Sequence, residues 1–218
     1  MKSKTWQFAT ILLCCIGASS TAMSDDSSQP LSSWDFDVYL DNKKVGEHRF
    51  ELSERNGAQQ LQSEASFKYK ILFVTAYTYQ HSAAEKWSGN CLTAIDATTN
   101  ANGKRSVVNG ELDGDEFVID DNERERTLPQ CIMTFAYWNP DFLEQQQLLN
   151  PQTGEYLDVS VEEVGGDTLE IRGAAVPATR FKLTAANIDV TLWYSTNNEW
   201  LALESVAKGG RILRYELS

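Results

Sequence analysis

Histidine is scarce in this chain: only His48 and His81 occur in 218 residues. Few side chains are therefore ready to exchange protons near neutral pH, and acid–base catalysis has few candidates. Basic clusters are missing as well. The 19 Lys and Arg stand against 31 Asp and Glu, a net charge of −12, and no stretch supplies the basic stripe that a phosphate backbone requires. That excludes nucleic acid as a partner and disfavours anionic membrane surfaces. There is no G-x-S-x-G elbow, zinc-ligand spacing, phosphate-cradling glycine loop or dinucleotide fingerprint, so neither a metal nor a cofactor is expected. A hydrophobic content of 42% with 11% aromatic residues is nevertheless that of a chain with a core to bury. No internal repeat or low-complexity tract interrupts it.

Long apolar runs are absent except at the N-terminus. Lys2 and Lys4 precede an apolar run over residues 8–18, followed by the small residues Ala18-Ser19-Ser20-Thr21-Ala22. This is the pattern of an export signal (residues 1–22) with cleavage after Ala22. The run is shorter than the roughly 18 to 20 residues of a spanning helix, so no membrane anchor is expected after cleavage. A lipid anchor on Cys14 or Cys15 fits poorly, because Leu13 and Cys14 occupy the preceding positions where a small residue is wanted. The expected location is the periplasm. Removing residues 1–22, with two lysines and no acid, leaves 17 basic against 31 acidic residues, a net charge of −14. Residues 23–33 then read as a polar tether, and 34–218 as one domain. Of the four cysteines, only Cys91 and Cys131 lie beyond the signal. In an oxidising compartment they predict a disulfide, with a catalytic cysteine as the alternative that no nearby histidine pattern supports.

From Trp34 onward the dominant period is two. Trp34, Phe36, Val38 and Leu40 alternate with Asp35, Asp37 and Tyr39; Leu61, Ala65, Phe67, Tyr69 and Ile71 do the same. Asp41-Asn42, Asn56-Gly57, Ala101-Asn102-Gly103-Lys104, Gly165-Gly166-Asp167, Asn197-Asn198 and Gly209-Gly210 supply turn chemistry between such runs. One segment departs: Asn139-Pro140 resembles an N-cap with proline at the first helical position, and Asn150-Pro151 a stop, which predicts a helix over 140–149. Short strands at roughly 8 to 12 residue spacing with one short helix define an all-β, mainly antiparallel fold: a curled sheet, half-barrel or barrel-like. A sheet of that kind, its helix over one mouth, can enclose a cavity.

Candidate chemistry is sparse. Tyr77, Tyr79 and His81 share one face of a strand and Glu85 follows within reach, a group able to orient a proton or a polar headgroup; a hydrogen-bonded strand-end histidine is the simpler alternative. His48, flanked by Glu47 and Arg49, reads as surface or rim. The acidic loops Asp113-Gly114-Asp115-Glu116 and Asp120-Asp121-Asn122-Glu123 lack the order of a calcium loop and read as solvated turns. Phe135, Tyr137, Trp138 and Phe142 form the densest set of binding-type side chains, with core packing around the Cys91–Cys131 bridge as the alternative.

Several peptides carry a resemblance: Trp34-Asp35-Phe36-Asp37-Val38-Tyr39-Leu40, Val45-Gly46-Glu47-His48-Arg49-Phe50, Tyr77-Thr78-Tyr79-Gln80-His81 with Glu85-Lys86-Trp87, Cys91-Leu92, and residues 131–140, 148–154, 192–194 and 211–217. Together they resemble an uncharacterised family of exported bacterial proteins, domain of unknown function family 6134, over nearly the whole chain after the signal. The resemblance implies a periplasmic β domain and assigns no catalytic residue. Export, β architecture and aromatic lining without catalytic motifs favour a non-enzymatic binder of an apolar or lipid-like small molecule. The alternatives are a cell-envelope enzyme centred on His81 and Glu85, and an envelope module that lends a sheet edge to a protein partner.

Overall fold

The computed structural model describes residues 29–71, 74–207 and 209–218; residues 1–22, expected to be an export signal, and 23–28 of the expected tether lie outside them. Strands β1 (Gln29–Leu40), β2 (Lys43–Arg55), β3 (Ala58–Ile71), β4 (Val74–Ser88), β5 (Cys91–Ala101), β6 (Lys104–Asp113), β7 (Glu116–Asp120) and β8 (Glu125–Pro129) follow one another as hairpins. A 3-10 turn (Pro140–Glu144) and the short pair β9 (Gln147–Leu149) and β10 (Tyr156–Asp158) come next. The chain then resumes the meander with β11 (Ser160–Ile171), β12 (Ala174–Ala185), β13 (Ile188–Ser195), β14 (Trp200–Ala207) and β15 (Arg211–Leu217).

Among the described residues, thirteen strands form one antiparallel sheet in the order β11-β12-β13-β14-β15-β1-β2-β3-β4-β5-β6-β7-β8. The pairing of β15 with β1, from Phe36 opposite Leu217 to Leu40 opposite Leu213, joins the two runs of hairpins. The sheet curls without closing, since β8 and β11 remain its edges. Bulges after Val38, Tyr69, Lys86, Glu163 and Trp193 raise the local twist and bend. Curvature brings backbones close at Gly46, where an added Cβ would lie 1.9 Å from the Ser66 carbonyl oxygen. The Asn56-Gly57 and Asn102-Gly103 turns hold both residues at positive φ, as two-residue hairpins demand.

The alternation read from sequence is the alternation of burial: Trp34, Phe36 and Val38 point inward with Leu61, Phe67, Trp87, Leu92, Leu192 and Trp200, in one hydrophobic cluster. The segment between β8 and β11 packs into the same cluster through Ile132, Met133, Phe142, Leu148 and Leu149. It is held there by the Cys91–Cys131 bridge, Cα atoms 4.7 Å apart, and by the Leu92 N–H donating to the Ile132 carbonyl at 2.9 Å. Closing a 40-residue separation contributes about 3 to 4 kcal/mol by the chain-entropy account.

Three expectations are corrected, and one strand is added. The helix over 140–149 ends at Glu144, because Leu148 and Leu149 are drawn into the core as strand β9, and Leu149 N–H donates to the Met133 carbonyl. Gly165-Gly166-Asp167 is not a turn: β11 runs through it with a bulge, and the chain reverses at Arg172-Gly173, both at positive φ. Gln29–Ser33, read as tether, begins β1 and pairs with β2. Glu125–Pro129, unread in sequence, is the edge strand β8.

Candidate functional site

Two hollows compete for attention. The larger, about 900 Å³, is an open groove lined by outward residues including Asp35, Asp37, Glu47, Arg49, Glu64 and Arg105. Asp35 pairs with Arg49 at 2.6 Å, and Asp37 and Glu47 pair with Lys44 at 2.7 and 3.0 Å. This is a solvated sheet face. The second, about 280 Å³, lies inside the curl and is walled by Phe50, Leu61, Ala83, Val190, Trp200 and Leu203, among others. Polar side chains converge on it.

Their placement follows from strand register. His48 of β2, Ala65 of β3 and His81 of β4 are cross-strand partners in one row, continued by Phe36 on one side and Thr99 on the other. All share the inward face with Phe50, Ala83 and Trp87. The two imidazoles lie 6.4 Å apart between ring centroids, with only the Ala65 methyl between them in the row. His48 Nε2 meets Ser63 Oγ at 2.8 Å, its Nδ1 meets the Tyr215 hydroxyl at 3.3 Å, and its ring stacks on Phe50 at 4.0 Å. His81, 7% exposed, meets Thr99 Oγ1 through Nδ1 at 2.9 Å. Its Nε2 has no partner among the described residues.

Burial sets the ionisation of the group. Desolvation, with the neighbouring His81 second, lowers His48 to about 3, and desolvation lowers His81 to about 4. Glu85 is fully buried; desolvation raises it to about 7, opposed by Trp87 Nε1–H at 3.0 Å and Thr134 Oγ1–H at 3.4 Å, both donating to Oε2. At neutral pH the histidines are uncharged and the carboxyl is near its midpoint.

The expected residues are distributed unevenly around this cavity. His81, Glu85 and Tyr79 line it, but Glu85 is bonded to Trp87 and Thr134 rather than to His81, and Tyr79 only stacks near His81 at 6.4 Å. Tyr77 is 41% exposed and stands outside it. Phe135, Tyr137 and Trp138 contribute to the lining, whereas Phe142 is wholly buried in the core behind it. His48, read as surface or rim, is half-buried with its side chain on the inward face: Glu47 and Arg49 point out, and His48 points in with Phe50 and Leu52. That even spacing was the available signal, as it was for Ser63 between Leu61 and Ala65. Thr99, Thr134 and Tyr215 carried none. The acidic loop carboxylates hold turns, Asp121 Oδ1 accepting from the Glu123 and Arg124 amides at 3.1 Å each. Among the described residues no group of three or more His, Cys, Asp or Glu is placed to hold a metal ion.

An open, thirteen-stranded antiparallel curl with a buried polar row places the chain in the class of barrel-like β proteins. Its fold is similar to the crystal structure of a β-barrel-like protein, of domain of unknown function DUF1849, from Brucella abortus, with a TM-score of 0.62 at 7% identity over 85% of this chain and 94% of that one. The chain belongs to the DUF6134 family, described as a domain of unknown function, whose model matches residues 36–218. No curated protein matches it.

Proposed function

We propose that this is an exported, periplasmic, non-enzymatic protein that holds a small amphipathic, lipid-like ligand in the cavity of its curled sheet. The observation that carries the proposal is the cavity itself: about 280 Å³, just below the roughly 300–1,000 Å³ typical of ligand sites, with apolar walls such as Phe50, Leu61, Val190 and Trp200 facing polar groups such as His48, Ser63, His81 and Glu85. The Cys91–Cys131 bridge supports export, as does the pattern of residues 1–22. Among the described residues no helix is long and apolar enough to cross a membrane. Native mass spectrometry of protein recovered from the periplasm tests the proposal. A bound non-protein mass that organic extraction removes is the expected result; protein that carries none, and whose melting no apolar compound raises, overturns it.

A second reading, an envelope enzyme, draws on the Ser63–His48–Tyr215 chain and on Glu85, whose value near 7 suits a proton carrier. Binding ranks first because His48, held at about 3, is a weak base for activating Ser63, and because His81 and Glu85 are not bonded to each other. Labelling of Ser63 by a fluorophosphonate would reverse that ranking. The sheet-edge module is disfavoured by β11 itself, where Glu162, Glu163 and Glu170 and the bulge after Glu163 guard the edge against pairing.

A further inference from the structure

We infer that the cavity selects an uncharged amphiphile bearing a hydroxyl group, whose oxygen bonds the free Nε2 of His81 while its chain lies against Trp200, Leu203 and Val190. The inference rests on the reading that the cavity takes a ligand, and names the chemistry of its head. No lysine or arginine is among the cavity's lining residues, so an anionic head would enter an apolar hollow without a counter-charge, at a cost that hydrogen bonds alone do not offset. A cationic head has only Glu85 to face, and that carboxyl already takes two donors on Oε2.

What remains is neutral hydrogen bonding. His48 has both nitrogens engaged, by Ser63 and Tyr215. His81 has one nitrogen on Thr99 and no partner on Nε2 among the described residues. Nε2 is not one of their fully buried unpaired side-chain atoms, which are Arg126 Nε, Trp138 Nε1 and Arg180 Nε, so in a residue only 7% exposed it keeps access to the cavity that His81 lines. If Thr99 donates to Nδ1, Nε2 carries the proton and donates to the ligand; if Nδ1 donates to Thr99, Nε2 accepts. A hydroxyl is both donor and acceptor and serves either tautomer. A carboxylate only accepts, and an ammonium only donates.

The experiment compares three ten-carbon probes, 1-decanol, sodium decanoate and decylammonium, on extracted full-length protein purified with its disulfide intact. Binding is read at pH 6 by native mass spectrometry and by tryptophan fluorescence, Trp200 lining the cavity. Decanol is expected to bind at least tenfold more tightly than either ion. His81→Phe, which keeps the ring volume, is expected to weaken decanol about fivefold, as the loss of one neutral hydrogen bond implies, without improving the ions. Equal or tighter binding of decanoate or decylammonium to the unaltered protein overturns the inference and leaves the cavity reading intact. Binding of none of the three overturns both.

Discussion

The two walls of the curl, both apolar inside, differ in the polar side chains they bury. The N-terminal wall, β2 to β5, contributes Ser63, His81, Glu85 and Thr99 to the interior, and with Thr134 of the inserted segment these are the buried polar side chains among the described residues. The C-terminal wall, β12 to β15, buries Leu183, Val190, Leu192, Trp200 and Leu203, and among its buried side chains the polar groups are the hydroxyls of Tyr194 and Tyr215 and the indoles of Trp193 and Trp200. Apolar burial drives folding, whereas a buried polar group at best recovers the hydration it loses. Both walls share the apolar cluster that holds the sheet in its curl, and the N-terminal wall carries in addition groups that stability alone does not call for. Such a division is what an amphipathic ligand needs from a cavity.

The largest test of that division is on the apolar wall. Trp200 is 1% exposed, packs on Phe36 at 4.3 Å and Phe50 at 5.1 Å, and donates its Nε1–H to the Ala202 carbonyl at 3.0 Å. Trp200→Ala is expected to cost about 3 to 5 kcal/mol, measured as a shift in the urea midpoint. A loss below about 1 kcal/mol would mean that the inserted segment, not this wall, carries the core.

The apolar faces of both walls were the legible part. Period-two alternation with Gly and Asn turns is a local signal, and it located most strands and the inward face of β1, while cysteine count and compartment gave the Cys91–Cys131 pair. It failed where tertiary packing overrides local chemistry. Asn139 caps a short 3-10 turn in place of the helix expected over 140–149, because Leu148 and Leu149 fill the curl as strand. Gly165-Gly166 has turn composition, yet the long β11–β12 pairing carries the strand through it. The polar wall was half visible. His81 drew attention as a rare residue with Tyr79 near it, while His48 was obscured by the charges of Glu47 and Arg49 on the other face. Tyr215, 167 residues from its partner His48, is joined to it only by the β15–β1 pairing.

A middle-sized effect probes the polar wall by pH. Glu85, raised from 4.5 to about 7, keeps its proton in the folded state where the unfolded chain has released it. Its contribution is complete below pH 4.5 and is lost as pH rises through 7. The histidines run the other way. Lowered from 6.5 to about 3 and about 4, they contribute fully above pH 6.5, and that stability is lost as pH falls toward 4 and then 3. Stability should therefore peak near pH 6.5. Glu85→Gln should remove the alkaline decline, gaining about 2 to 3 kcal/mol at pH 8 relative to pH 5 when compared with the unaltered protein. Parallel urea curves for the two proteins at both pH values would show that the carboxyl is not held neutral.

The smallest expected effect is the most discriminating, because it asks whether the polar row is structural. Ser63→Ala leaves His48 with its Tyr215 bond and its stack on Phe50 and removes only the 2.8 Å contact at Nε2. The expected cost is about 1 kcal/mol, the net worth of one neutral hydrogen bond. Combining it with His48→Phe in a double-mutant cycle separates the pair from its surroundings, and a coupling of about 1 kcal/mol is expected. A coupling above about 3 kcal/mol would make the row part of what holds the curl together, and the contrast between the walls would lose its functional meaning. A small coupling leaves a row of neutral, hydrogen-bonding side chains in a protein whose stability comes from elsewhere, facing the one enclosed space they share.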